Sequence, residues 1–127
     1  MDVLIDTSVL VAVERGDLDF RTIVEPDVAY FVSVISAAEL LHCVHRATGR
    51  RAQTRSASVE ALLTNTALLP IDLAVARAYS RMSSALARTG APVDANDLWI
   101  GATAIAHGLR VWSLDGDFDR MPGVSAG

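Results

Sequence analysis

The run Val3-Leu4-Ile5 ends on an isolated carboxylate, Asp6, and is followed at once by Thr7-Ser8-Val9-Leu10. Three consecutive apolar residues, two of them β-branched, read as a strand covered on both faces, the pattern of a parallel sheet. Asp6 then stands where the strand stops. In open α/β sheets that carboxyl edge is where ligands bind. Thr7 or Ser8 is suited to cap the next helix, which contains Val9 to Val13 and ends near Gly16. The question this sets is which other acidic residues fall on the same edge.

The rest of the chain alternates in the same way. Leu18, Phe20, Ile23 and Val24 suit one or two helical turns, and Pro26-Asp27 is a break. Val28 to Ile35 is apolar and β-rich, a second strand. Ser36 opens a helix with Leu40, Leu41 and Val44 inward, Thr48-Gly49 interrupts it, and a further helix runs from about Arg50 to Leu63 with Val59, Leu62 and Leu63 inward. These two helices form a hairpin projecting from one side. Ala67 to Ile71 is a third strand, with Pro70 placing it near an end or an edge. Asp72 caps a helix carrying Leu73, Ala76, Tyr79, Met82 and Leu86 at helical spacing, closed by Gly90. Gly90-Ala91-Pro92 is a loop, Asp94 to His107 a helix with Leu98, Ala102 and Ile105 on one face, and Leu109 to Leu114 a fourth strand. The tail is short and punctuated by Pro and Gly. This order predicts one domain over residues 1–127, an α/β/α sandwich of three layers on a central parallel sheet.

Composition narrows the function. The 127 residues suit one core, and the 51% hydrophobic fraction leaves room for an apolar face that meets a partner. The longest uncharged runs, Val28 to Ala38 and Ala61 to Ile71, fall short of the roughly 20 residues of a membrane helix. Met1-Asp2 leads into the first strand without a basic segment, so no signal peptide is expected. The single cysteine, Cys43, excludes a disulfide framework and a cysteine-rich zinc site, which fits the cytoplasm. All 11 basic residues are Arg. Without lysine there is neither a P-loop nor a lysine Schiff base. A net charge of −4 argues against loose, charge-driven nucleic-acid binding but not against a local basic patch.

Four carboxylates recur at matching places. Asp6, Glu39 and Asp115 each follow a strand, and Asp97 opens a helix between strands. Each has a plain structural reading. Asp6 can cap a helix. Ser36-x-x-Glu39 has the form of a capping box. Asp97 can favour the positive end of its helix, with Asp94 as the cap. Asp115-Gly116 is a common turn pair, with Asp117 and Asp119 in reserve. The joint pattern says more, because parallel topology brings all four to one cleft. Crowded carboxylates repel, and a divalent cation relieves them. An all-oxygen donor set suits Mg2+ or Mn2+ rather than zinc, and such an ion with bound water can attack a phosphodiester.

Other residues carry weaker signals. His42 and His45 are three apart but lack a third ligand. His107 suits its helix C-terminus, Cys43 a buried thiol, and Trp99 and Trp112 the core or an interface. Arg46, Arg50, Arg51 and Arg55 cluster on the helical hairpin, either as a solvated face or as phosphate contacts.

These motifs resemble the PIN-domain ribonucleases, and closely the VapC-type toxins of toxin–antitoxin pairs, over nearly the full length. The resemblance is carried by Leu4-Ile5-Asp6-Thr7-Ser8, Ser36-Ala37-Ala38-Glu39-Leu40, Asn96-Asp97-Leu98-Trp99-Ile100-Gly101-Ala102 and Trp112-Ser113-Leu114-Asp115-Gly116-Asp117-Phe118. It implies that Asp6, Glu39, Asp97 and Asp115 hold Mg2+ or Mn2+ and a water that cleaves RNA, with Thr7 and Ser113 as polar supports. Ser113 stands where the family usually has Thr, and the spacing leaves the fourth acid open between Asp115 and Asp117. The resemblance also implies a homodimer and a VapB-like antitoxin that occupies the cleft or the groove beside it. Two alternatives stand beside this reading: a non-catalytic PIN-like module that binds RNA or protein, and a PIN nuclease with a housekeeping role in RNA processing. Phosphatases and receiver domains with an aspartate after the first strand fit poorly. Position 8 is Ser rather than a second Asp, and a receiver's late Lys is missing.

Overall fold

The computed structural model describes residues 1–90 and 92–127. Ala91, in the expected loop after Gly90, lies outside the described residues. Five strands form one sheet: β1 (Val3–Ile5), β2 (Tyr30–Ser33), β3 (Ala67–Leu69), β4 (Arg110–Trp112) and β5 (Ser125–Ala126). Their order is β3-β2-β1-β4-β5 and all neighbours are parallel. Six α-helices connect them: α1 (Thr7–Glu14), α2 (Phe20–Ile23), α3 (Val34–His45), α4 (Gly49–Thr64), α5 (Leu73–Ala87) and α6 (Ala95–His107). A 3-10 turn spans Gly116–Arg120.

The alternation within β1 divides the core. Val3 and Ile5 face one side and pack with Val9 and Leu10 of α1, Leu40 of α3 and Val59 of α4. Leu4 faces the other side, with Val75 and Met82 of α5, Ile100 of α6, Val111, and Phe118. All three residues of β1 are at most 1% exposed, as the opening apolar run requires. The chain proceeds outward from β1 through β2 to β3, then returns to the other side of β1 for β4. That reversal opens a crevice between the carboxyl ends of β1 and β4.

Several local expectations change. The second strand is shorter than expected, because α3 begins at Val34 with Ser33 as its cap, accepting from the Ile35 amide at 3.1 Å. Ser36 therefore lies inside the helix, and its spacing to Glu39 is not a capping box. Asp6, rather than Thr7 or Ser8, caps α1. Asp94 holds the cap position of α6 without a side-chain cap bond. Leu73 is exposed, and α5 buries Val75, Ala78, Met82 and Leu86 instead. The hairpin of α3 and α4 is present, with its inner face packed on α1 rather than standing clear. Cys43 is half-buried. The tail adds the short edge strand β5, which sequence patterning did not reveal.

Candidate active site

The crevice at the β1–β4 reversal is where the acidic residues gather. Asp6 leaves β1 directly into α1 and is 3% exposed. Burial of a carboxylate is costly unless hydrogen bonds compensate. Its Oδ2 accepts from the Ser8 hydroxyl at 2.7 Å, the Ser113 hydroxyl at 2.8 Å and, more distantly, the Ser8 amide at 3.4 Å. Each hydroxyl is itself fixed from the loop after β4. Ser8 Oγ accepts from the Leu114 amide at 3.0 Å, and Ser113 Oγ from the Asp115 amide at 2.9 Å. One carboxylate oxygen is thus clamped between the ends of two strands. Among the described residues no hydrogen bond falls on Oδ1.

Asp97 enters from the first turn of α6. Its carboxylate lies with those of Asp115 and Asp117, ligand oxygens of all three within 4.8 Å of one another. Asp115 caps the 3-10 turn, its Oδ1 accepting from the Asp117 amide at 3.0 Å. Asp117 Oδ1 also pairs with the Arg120 guanidinium at 2.7 Å. Phe118, wholly buried between Asp117 and Asp119, anchors the turn to the core. Burial, then the neighbouring charges of Asp6 and Asp115, and more weakly Asp94 and Asp117, push the Asp97 carboxyl up to about 7. A first-turn position ordinarily favours the charged form. Burial, with the neighbouring acids, outweighs it here.

Glu39 approaches from the second turn of α3. Its Oε1 accepts from the Thr7 hydroxyl at 2.8 Å, and Thr7 Oγ1 lies 2.8 Å from Ser36 Oγ. A hydroxyl has one proton, so Thr7 divides its donation between Glu39 Oε1 and Ser36 Oγ, both of which accept. Glu39 stands outside the close trio and lines an adjoining cavity of about 340 Å3 with Thr7 and Asn96. The sequence offers Ser8 and Ser36 only as capping residues, whereas here they support the acids. Ser8 sits two residues after the acid, the spacing of a local side-chain bond, and that was the available signal.

The arginines separate. Arg46, Arg50 and Arg51 are exposed, whereas Arg55 is half-buried and paired with Glu14 at 3.5 Å. His42 and His45 are exposed on α3; His42 lines the cavity beside Glu39, and among the described residues neither joins the group of Asp97, Asp115 and Asp117.

Five parallel strands bring acids together at the reversal point. Residues 3–124 match the PIN domain family. The chain belongs to the PIN domain family. This PIN domain is 36% identical over 125 residues to ribonuclease VapC4 of Mycobacterium tuberculosis, covering 95% of this chain and 92% of the relative. Among solved structures it resembles VapBC-5 of M. tuberculosis, a toxin-antitoxin system member, at 32% identity and a TM-score of 0.78, covering 100% of this chain and 97% of the other. It also superposes on VapBC2 of Rickettsia felis, solved with a promoter DNA fragment. There the TM-score is 0.90 at 18% identity, covering 100% and 98%, a likeness of fold alone.

Proposed function

We propose that this PIN domain is a metal-dependent endoribonuclease, the toxin of a toxin–antitoxin pair, with Mg2+ as its ion and Mn2+ as a substitute. The observation that carries the reading is the trio Asp97, Asp115 and Asp117, set beside the clamped Asp6 in the strand-reversal crevice. Three carboxylates this close, one of them driven up to about 7, are a poor arrangement without a counter-charge and a good one around a divalent ion. Asp6 Oδ1, Asp97 and Asp115 would hold it, with Asp117 shared between the site and Arg120. When bound, such an ion lowers the pKa of a coordinated water and stabilises charge on the phosphodiester.

The chain's own groups do the positioning. Ser8 and Ser113 keep Asp6 from turning, and Thr7 fixes Glu39 so that its other oxygen is available to orient the attacking water. The family relatives named ribonuclease VapC, with 36% identity over nearly the whole chain, support RNA as the substrate. The VapBC assembly at 32% identity supports a VapB-like antitoxin as partner. A homodimer and a cytoplasmic location belong to the same reading. Among the described residues no helix is long and apolar enough to cross a membrane.

The test is cleavage of RNA by the purified chain with Mg2+ or Mn2+, stopped by EDTA. Expression of the chain alone should arrest growth, and co-expression with its antitoxin should restore it. Metal-independent cleavage overturns the metal dependence, and no cleavage with either ion overturns the enzymatic reading. Growth without arrest overturns the toxin role.

A further inference from the structure

A second cavity, of about 380 Å3, lies beside the hairpin on the same side of the sheet as Glu39. It is lined by Arg15 from the end of α1, Arg46 from the end of α3, and Arg51 and Arg55 from α4, with Thr48 and Cys43. Four arginines from three helices line it. Among the lining residues there is no carboxylate, and the one acid that meets them is Glu14, 3.5 Å from Arg55. In a chain of net charge −4 this is a marked local excess of positive charge.

One further feature favours an anion. The N-terminus of the 16-residue helix α4 opens at the cavity, and Thr48 at its cap position makes no side-chain cap bond. The positive end of the helix dipole therefore adds to the arginines.

The position of the cavity suggests which anion. Cys43 and Arg46 line both this cavity and the one that holds Thr7, Glu39 and Asn96. The two are thus neighbouring stretches of one groove, with Glu39 in one and the arginines gathered in the other. A single carboxylate has no reason to span it. A polymer of phosphodiesters does, with one phosphate at the acids and another at the arginines.

We propose that the cavity framed by Arg15, Arg46, Arg51 and Arg55 at the start of α4 binds a backbone phosphate of single-stranded RNA other than the one being cut. The choice of ligand rests on the ribonuclease reading above. The site adds Arg15, far from the hairpin in sequence, and leaves out Arg50, which does not line the cavity.

The test uses the full chain carrying Asp97→Asn, in Mg2+, titrated against a fluorescent single-stranded RNA at several salt concentrations. Arg15→Gln with Arg51→Gln removes two exposed guanidiniums, leaving the Arg55–Glu14 pair intact. Affinity should fall about tenfold, and the slope of log K against log salt should flatten by about 0.7, the loss of one phosphate contact. Arg77→Gln, on α5 across the sheet, should change neither. Equal affinity and slope in the double variant overturn the proposal, as does failure of the parent to bind RNA. So does a double variant that loses an acidic peptide but keeps RNA, which makes the cavity a docking site for a protein. Cleavage is scored separately with native Asp97. A chain that cuts RNA while the double variant binds it normally keeps the nuclease reading and loses the phosphate site.

Discussion

The Ser113 hydroxyl donates to Asp6 Oδ2 at 2.8 Å, joining two strand ends 107 residues apart. Ser8 supplies the matching bond from the other side at 2.7 Å, and both hydroxyls are held by amides of the loop that carries Asp115. The acid on β1 and the acids after β4 are therefore set by one hydrogen-bonded unit.

Ser113→Ala removes a donor to a buried carboxylate and an acceptor for the Asp115 amide. Hydrogen bonds to charged groups are worth about 1.5–3 kcal/mol, so a loss of that order is expected in denaturant unfolding. Supporting residues around metal ligands typically change affinity about 10–100-fold, and Mg2+ affinity should drop within that range. Ser113→Thr, which keeps the hydroxyl, should restore both. Ser8→Ala combined with Ser113→Ala should be non-additive, since the two share Oδ2.

The raised Asp97 carboxyl makes metal-free stability depend on pH. Its folded value of about 7 lies above the ordinary 3.8, so between those limits the folded state holds a proton that the unfolded state has lost. Its contribution is fully present below about 3.8 and is lost as pH rises through 7. In EDTA, the melting temperature should fall across that window and recover when Mg2+ is added at pH 8. Mg2+ affinity should climb with pH to about 7 and then level. A melting temperature that is flat with pH in EDTA would count against the burial and charge crowding of Asp97.

Asp97→Asn separates folding from function. It should abolish RNA cleavage while raising the melting temperature of the metal-free protein at pH 8, because it removes one charge from a mutually repelling group. Asp6→Asn should also abolish cleavage without that gain, since Asp6 is already compensated by two hydroxyls. Parallel assays of cleavage and thermal unfolding decide the matter.

Phe118→Ala should cost about 3–5 kcal/mol, the range for emptying a buried aromatic site. The residue is wholly buried and its turn carries both Asp115 and Asp117. Mg2+ affinity should therefore fall along with stability, in contrast to Val59→Ala, which empties the opposite core layer and leaves the acids in place. Unchanged Mg2+ affinity in Phe118→Ala would show that the turn is held by other contacts.

Much of this arrangement was legible in the residues. The apolar run before Asp6 announced a central buried strand, and the recurrence of acids after strands pointed to one edge of a parallel sheet. What stayed hidden has physical causes. Val34 and Ile35 are β-branched and extend the β-like pattern of the second strand, so the sequence pattern points to a helix start at Ser36, whereas Ser33 is the cap. The edge strand β5 is only Ser125–Ala126, too short to show a period. The work of Ser8 and Ser36 depends on partners from distant elements, which local spacing does not reveal. The same holds for Arg15, which meets the hairpin arginines only after α1 packs against α3 and α4.

β1 lies in the middle of the sheet, with β2 and β4 on either side, and Asp6 follows it without an intervening residue. The amides of such a strand exchange with solvent only when the whole molecule opens. A carboxylate mounted there has no private route to disorder. Fraying of the hairpin or the tail leaves it in register, and its geometry lasts as long as the native state does.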